Sequence, residues 1–252
     1  MKLEDIYYQL AYGELRGVAL GNGLLGASTE GDGIPAANYL KLLPFVQLGL
    51  TELHKRFPLK ENTITVTLQD SQVIYPLTIA YAVSNTATTG TKWIIDTTLA
   101  PFRDDLMQIE RVYGTYLTKE YEIPLNEIDN PESIRTTAYN MLLIPSDTET
   151  APWLLETTTL RVVYRADHPA INKYLANAAP GVTEIYLPPS HLEPLLYYIA
   201  SRQHNPIGIS NEFHEGNNYF AKFEASCQLL EASGLTIKAS HGGSKLSARG
   251  FV

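Results

Sequence analysis

The chain has 252 residues, 44% of them hydrophobic and 18% charged, which suffices for one large domain or two small ones and excludes wholesale disorder. Lys plus Arg is 19 against 27 Asp plus Glu, and the resulting net charge of −8 makes a poor non-specific nucleic-acid binder, without excluding a protein that lines a path for DNA and must not hold it. One cysteine excludes an intrachain disulfide and a multi-cysteine zinc site, and no stretch approaches the roughly 18 apolar residues of a membrane span, so no membrane anchor is expected.

Residues 3–18 read as a helix, with Leu3, Ile6, Tyr7 and Leu10 at helical spacing and Gly13 and Gly17 weakening its far end. Residues 20–34 are a glycine-rich loop, and Asp32-Gly33-Ile34-Pro35 is a helix-start signal. Ala36, Leu40, Leu43, Leu50, Leu53 and Phe57 then form a helical stripe, with a kink expected at Pro44 and a stop at Pro58.

The period changes near residue 62. Thr63–Leu68 alternates polar and apolar, and Val73–Tyr75, Lys92–Ile95, Leu106–Tyr113, Met141–Ile144 and Thr159–Tyr164 are further short β-branched or aromatic runs. Pro, Gly, Asn and Asp separate them, which predicts an antiparallel sandwich or barrel rather than βαβ units. Thr78–Gly90 reads as a long loop or weak hairpin.

Helical spacing returns after Pro188-Pro189 with Leu192, Leu195, Leu196, Ile199 and Ala200. Ser190 and Glu193 have capping-box spacing, whereas Pro194 argues for a later start, and the boundary stays open. A last helix spans about Asn211–Ser233 with Gly234 as its stop. Lys238–Val252 contains Lys238, Lys245 and Arg249 and no acid, with Phe251 near its tip, and reads as a basic docking tail.

The fold class expected is α+β: a discontinuous helical bundle built from both chain ends, with an inserted antiparallel β-rich domain of sandwich or barrel type. Residues 1–60 plus 188–235 would form the helical domain, 61–187 the insertion and 236–252 an extended tail. The bundle core would comprise Leu40, Leu43, Leu50, Leu53 and Phe57, with Leu192, Leu195, Leu196, Ile199, Phe220, Phe223, Cys227 and Leu230. Tyr outnumbers Phe 16 to 7, which suits either contact surfaces or strands.

No catalytic, cofactor-binding or metal-ligating residue is expected. Gly21-Asn22-Gly23-Leu24-Leu25-Gly26 matches a dinucleotide fingerprint, but a helix precedes it instead of a strand. Cys227 sits on an apolar helical face and reads as a small core group. His54, His168, His191, His204, His214 and His241 are scattered, none pairing with another at i+2 or i+4. His214-Glu215 near Glu212 reads as a solvated helix start, and Asp104-Asp105, being adjacent, would point apart.

Several segments resemble the head–tail adaptor (connector) proteins of short-tailed bacteriophages. They are Leu10–Leu15; Gly49–Phe57; Asp105–Tyr113 followed by Ile123–Asn126; Leu160–Ala166; and Leu187-Pro188-Pro189 followed by Leu195–Arg202 and Tyr219–Glu224. Each is short, but they follow the family's order and span nearly the whole chain. Gln47-Leu48-Gly49-Leu50 departs from the family's Asn-Glu-Gly-Leu type sequence, and the glycine-rich loop is longer than usual.

The resemblance implies a non-enzymatic virion protein at the neck, made in the host cytoplasm, without cofactors. It implies a homo-oligomeric ring, commonly a dodecamer, that joins the portal protein to the tail nozzle protein and continues a channel through which DNA passes without specific binding. The tail residues Lys238, Lys245, Arg249 and Phe251 would then dock on the portal. The alternatives are another tail protein, such as a nozzle subunit or a receptor-binding β module, and a small hydrolase.

Overall fold

The computed structural model describes residues 1–15, 34, 38–116, 119–204 and 211–234. The chain is α+β with antiparallel sheets. By packing it divides into two units, Met1–Gly49 with Arg56–Pro58 and Asn172–Val252, and Leu50–Lys55 with Leu59–Ile171. Residues 172–187, which the spacing assigned to the β insertion, thus group with the helices, and Leu50–Lys55 group with the strands.

In the first unit, helix α1 (Leu3–Tyr12) buries Leu3, Ile6, Tyr7, Leu10 and Ala11, one face of a 3.6-residue repeat. Its start is fixed twice. The Asp5 carboxylate accepts the Lys2 N–H at 2.9 Å, and the Leu3 N–H donates to Thr183 O at 2.9 Å while Ile185 N–H donates to Met1 O at 2.8 Å. The glycine-rich loop, its G-x-G-x-x-G match and the Asp32–Pro35 signal lie outside the described residues except Ile34, which is buried.

Helix α2 (Tyr39–Arg56) runs on through Pro44. Its buried side chains are Leu42, Leu43, Val46, Leu50, Leu53 and His54, with Phe57 just beyond. Leu40, expected in the core, is instead 47% exposed. On a helix of 3.6 residues per turn it falls well outside the arc that Leu43, Val46, Leu50 and Leu53 share, and Leu42 and Val46 fill that arc.

After the short helix α3 (Lys173–Ala178), helix α4 (Leu192–Gln203) follows a 3₁₀ turn at Pro189–His191. Pro194 lies in the first turn, where an N–H has no helical partner to lose. The Ser190 hydroxyl pairs with His191 Nδ1 at 3.1 Å, and no side-chain cap forms. Helix α5 (Asn211–Ala232) buries Phe223, Cys227 and Leu230 and gives way to Gly234, whose φ of 69° favours glycine. Phe220, expected beside them, is 42% exposed at the margin of that stripe, its ring 5.9 Å from Phe223. Leu192 is half-buried, while Leu195, Leu196 and Ile199 are buried.

These helices meet closely. A Cβ at Gly49 would lie 2.7 Å from Leu195 Cδ1 and 3.0 Å from Tyr198 Cδ1, so a larger residue here would push those side chains of α4 aside. Tyr198 packs edge-on against Phe223 at 5.2 Å, and Tyr7 stacks on Tyr39 at 4.6 Å. Arg56 spans two carboxylates of α5, Nε to Glu231 at 2.6 Å and Nη1 to Glu224 at 2.7 Å.

Among the described residues the second unit holds two antiparallel sheets and no barrel. One orders its strands β3-β1-β8-β4-β5 and the other β2-β7-β6. The strands are β1 (Glu61–Thr67), β2 (Ile74–Pro76), β3 (Ile94–Ile95), β4 (Leu106–Tyr116), β5 (Lys119–Ile123), β6 (Arg135–Ala138), β7 (Met141–Leu143) and β8 (Thr159–Ala166). Central β8 is flanked by β1 in unbroken register, Ile64 facing Val162, and by β4 with two irregularities. Ile64, Val66, Ile109, Val112, Leu160 and Val162 form a core with Tyr75, Trp93, Phe102, Leu142 and Trp153. The 78–90 region contains a 3₁₀ turn at Ile79–Tyr81, with Tyr81 stacked on Trp93.

Candidate functional site

Loop 96–105, β1 and β8 enclose a recess of about 400 Å³ in the second unit. The Asp105 carboxylate is its polar centre. One oxygen accepts from Lys60 Nζ at 3.1 Å and Asn62 Nδ2 at 2.9 Å, and the other accepts from the Tyr164 hydroxyl at 2.8 Å. Burial and then the Asp105 charge hold the Tyr164 phenol well above its ordinary range. With three donors on one carboxylate, this group ties β1, β8 and the approach to β4 together.

Asp104, at φ 54°, turns away and accepts the Ile79 N–H at 2.6 Å. The two adjacent aspartates therefore do not act as a pair, as their adjacency implied. Asp96 accepts from the Ser84 hydroxyl, the Ser84 N–H and the Phe102 N–H. Burial opposes its ionisation, but these donors outweigh it and the net pKa is lowered.

His54 and His168 lie together, their rings edge-on at 5.8 Å, in the second unit. His54 Nδ1 faces Ala166 O at 3.1 Å and His168 Nδ1 faces Pro169 O at 2.7 Å. Burial lowers the His168 pKa to about 4. Thr51 donates to Asp167 at 3.0 Å beside them. His204 Nδ1 lies 3.3 Å from the Glu215 carboxylate, so Glu215 faces the histidine that caps the C-terminal end of α4, and the His214 side chain is outside the described residues. Burial pushes the Cys227 thiol up to about 11, which disfavours the nucleophilic thiolate. Among the described residues no group of three His, Cys, Asp or Glu could hold a metal ion, and no helix is long and apolar enough to cross a membrane.

What the surface offers is contact area. Tyr8 and Tyr12 are 59% and 46% exposed on the outer face of α1, their rings 4.6 Å apart. In the same unit Tyr174, Val182 and Tyr186 are exposed, and Gly181 approaches Glu4 of α1 closely. In the β unit Leu99 and Ile128 are exposed on loops and Leu155 at the end of a 3₁₀ turn. A second recess, of about 290 Å³, is lined by Val73, Pro131, Ser133, Arg135 and Leu143–Ser146. Helical and strand spacing carry no signal for these loops, but an isolated Ile128 between Glu127 and Asp129 marks an exposed apolar tip. The tail residues Lys238, Lys245, Arg249 and Phe251 lie outside the described residues.

No protein-family model matches this chain, and no curated protein is similar to it.

Proposed function

We propose that the protein is a structural, non-enzymatic virion subunit whose copies form a ring, dodecameric by the family resemblance, between the portal and the tail nozzle. The observation that carries this reading is where the adaptor-like segments meet. Gly49, which opens one segment, packs against Leu195 and Tyr198 of another, and Arg56 of the first grips Glu224 at the end of a third. The two ends of the Gly49–Phe57 segment thus share the first unit with the Leu195–Arg202 and Tyr219–Glu224 segments, more than 130 residues away in sequence. On this reading the helices of both chain ends form one discontinuous bundle, with the strands as its insertion.

The exposed tyrosines Tyr8, Tyr12, Tyr174 and Tyr186 suit subunit contacts, since a ring of like subunits is closed by heterologous faces. The net charge of −8 suits a channel wall that releases DNA. Residues 238–252 are the arm that attaches to the portal.

The test is electron microscopy and mass measurement of the protein mixed with its cognate portal. A collar of twelve copies at the portal's tail-facing end is expected. A trimer, or a protein that leaves the portal bare, would refute the reading in favour of another tail protein. Deleting residues 239–252 should leave the subunit folded and weaken portal attachment, and attachment of the intact protein should weaken as salt rises.

A further inference from the structure

One edge of the five-stranded sheet stays open beside the recess at Asp105. β1 and β8 pair in unbroken register, and the Ala166 N–H to Lys60 O and Leu68 N–H to Thr158 O bonds, both 2.9 Å, close the two ends of that ladder. Antiparallel ladders bond through alternate residues, so the even-numbered residues of β1 bond to β8 and the odd-numbered ones face the opposite edge. The Thr67 N–H to Trp93 O bond at 2.7 Å lies on that edge. There β3 supplies only Ile94 and Ile95, opposite Val66 and Thr65, and the chain then turns off through the Ala100 N–H to Thr97 O bond at 3.1 Å. Among the described residues the main-chain N–H and C=O groups of Glu61 and Thr63 have no hydrogen-bond partner, and both residues are exposed.

The recess lies where a longer β3 would run. Asn62 and Ile64, on the other face of the pleat from Glu61 and Thr63, line it together with Leu99, Pro101 and Phe102, and its volume is about 400 Å³. A strand laid antiparallel to Glu61–Thr63 would bond to both residues and send the side chain opposite Asn62 into that space. The two carboxylates that line the recess are taken by the chain's own donors: Asp96 by Ser84 and Phe102, Asp105 by Lys60, Asn62 and Tyr164. Arg103 lines it too, is exposed and forms no ion pair among the described residues. The charge left to be answered is therefore positive.

We propose that this edge takes up an extended, acidic segment of a partner protein by strand addition, with an apolar side chain filling the recess and a carboxylate meeting Arg103. The site does not depend on the ring reading, and neither result below touches that reading.

The test is fluorescence anisotropy of a dye-labelled, amidated peptide Thr-Leu-Thr-Leu-Asp titrated with the full chain. Its threonines would lie opposite Thr63 and Glu61, and its first leucine opposite Asn62. Saturable binding is expected, and a Kd weaker than about 1 mM overturns the site. Methylating the two threonine main-chain nitrogens leaves side chains and charge unchanged and should weaken binding about tenfold, whereas methylating the leucine nitrogens, which point away from β1, should weaken it far less. Equal effects of the two overturn strand addition. Arg103→Glu should weaken binding of this peptide about fivefold and improve binding of its counterpart ending in lysine, and indifference to the exchange overturns the charge assignment. Thr63→Pro removes no bond of the β8 ladder and should abolish binding; if it unfolds the protein, the methylated peptides still decide. Should Thr63→Pro instead lower the mass of an assembly of the protein alone, the edge belongs to a second copy and the partner assignment is overturned.

Discussion

Acid should weaken the β unit through His168. The side chain is 4% exposed, with His54 edge-on to it and Lys60 adding a like charge to the imidazolium. Burial first, and those charges next, lower its pKa from 6.5 to about 4, against the opposing pull of Pro169 O and Asp167. A folded-state pKa below the unfolded one means the native state holds the neutral ring. The associated stability is complete above pH 6.5 and is lost as pH falls from 6.5 through 4. At 1.36 kcal/mol per pKa unit, the loss is about 2 kcal/mol at pH 5 and about 3 kcal/mol at pH 4, a large share of a typical domain's stability. His168→Gln keeps a donor for Pro169 O and removes the titration. Urea unfolding of both proteins from pH 7 to pH 4 isolates the term, because the other titrating groups are common to the two. The wild-type advantage over the variant should shrink by about 2 kcal/mol between pH 7 and pH 5. A difference that stays flat would refute the buried neutral imidazole.

Gly49→Ala should destabilise by about 1 kcal/mol in urea unfolding: alanine gains about 1 kcal/mol of helix propensity, but a Cβ 2.7 Å from the buried Leu195 costs about 1–3 kcal/mol of overpacking. A stabilised variant would mean that α2 and α4 cross less tightly. Cys227→Ala should cost about 1–2 kcal/mol, and the wild-type thiol should resist iodoacetamide at pH 8 until denaturant exposes it; rapid native labelling would contradict its burial. Asp105→Asn removes the charge that Lys60 pairs with and replaces an acceptor by an amide donor, so a loss of about 2 kcal/mol is expected in the same assay; a neutral effect would show that the recess tolerates an uncharged centre.

The alternation of helix and strand is legible in the order of residues, because burial on one face leaves a period of 3.6 or 2 that can be read without knowing the partner. It placed Leu43, Leu50, Leu53, Phe57, Leu195, Ile199, Phe223 and Cys227 inside on that ground, and all are buried. It also marked the split of Asp104 from Asp105. Strands β5 and β6 escaped it because both are edges, Lys119-Glu120-Tyr121-Glu122-Ile123 and Arg135-Thr136-Thr137-Ala138, and edge strands carry charged and polar residues that erase the alternation. That Leu40 and Phe220 face out follows from packing, since a stripe has a centre that spacing alone does not locate. Packing likewise brought Asp105 to Lys60, Asn62 and Tyr164, His54 to His168, and Arg56 to Glu224 and Glu231. Those meetings depend on which strand lies beside which and on how far two helix axes approach. Such long-range geometry is set by the packing of the whole core, and no local pattern of residues encodes it.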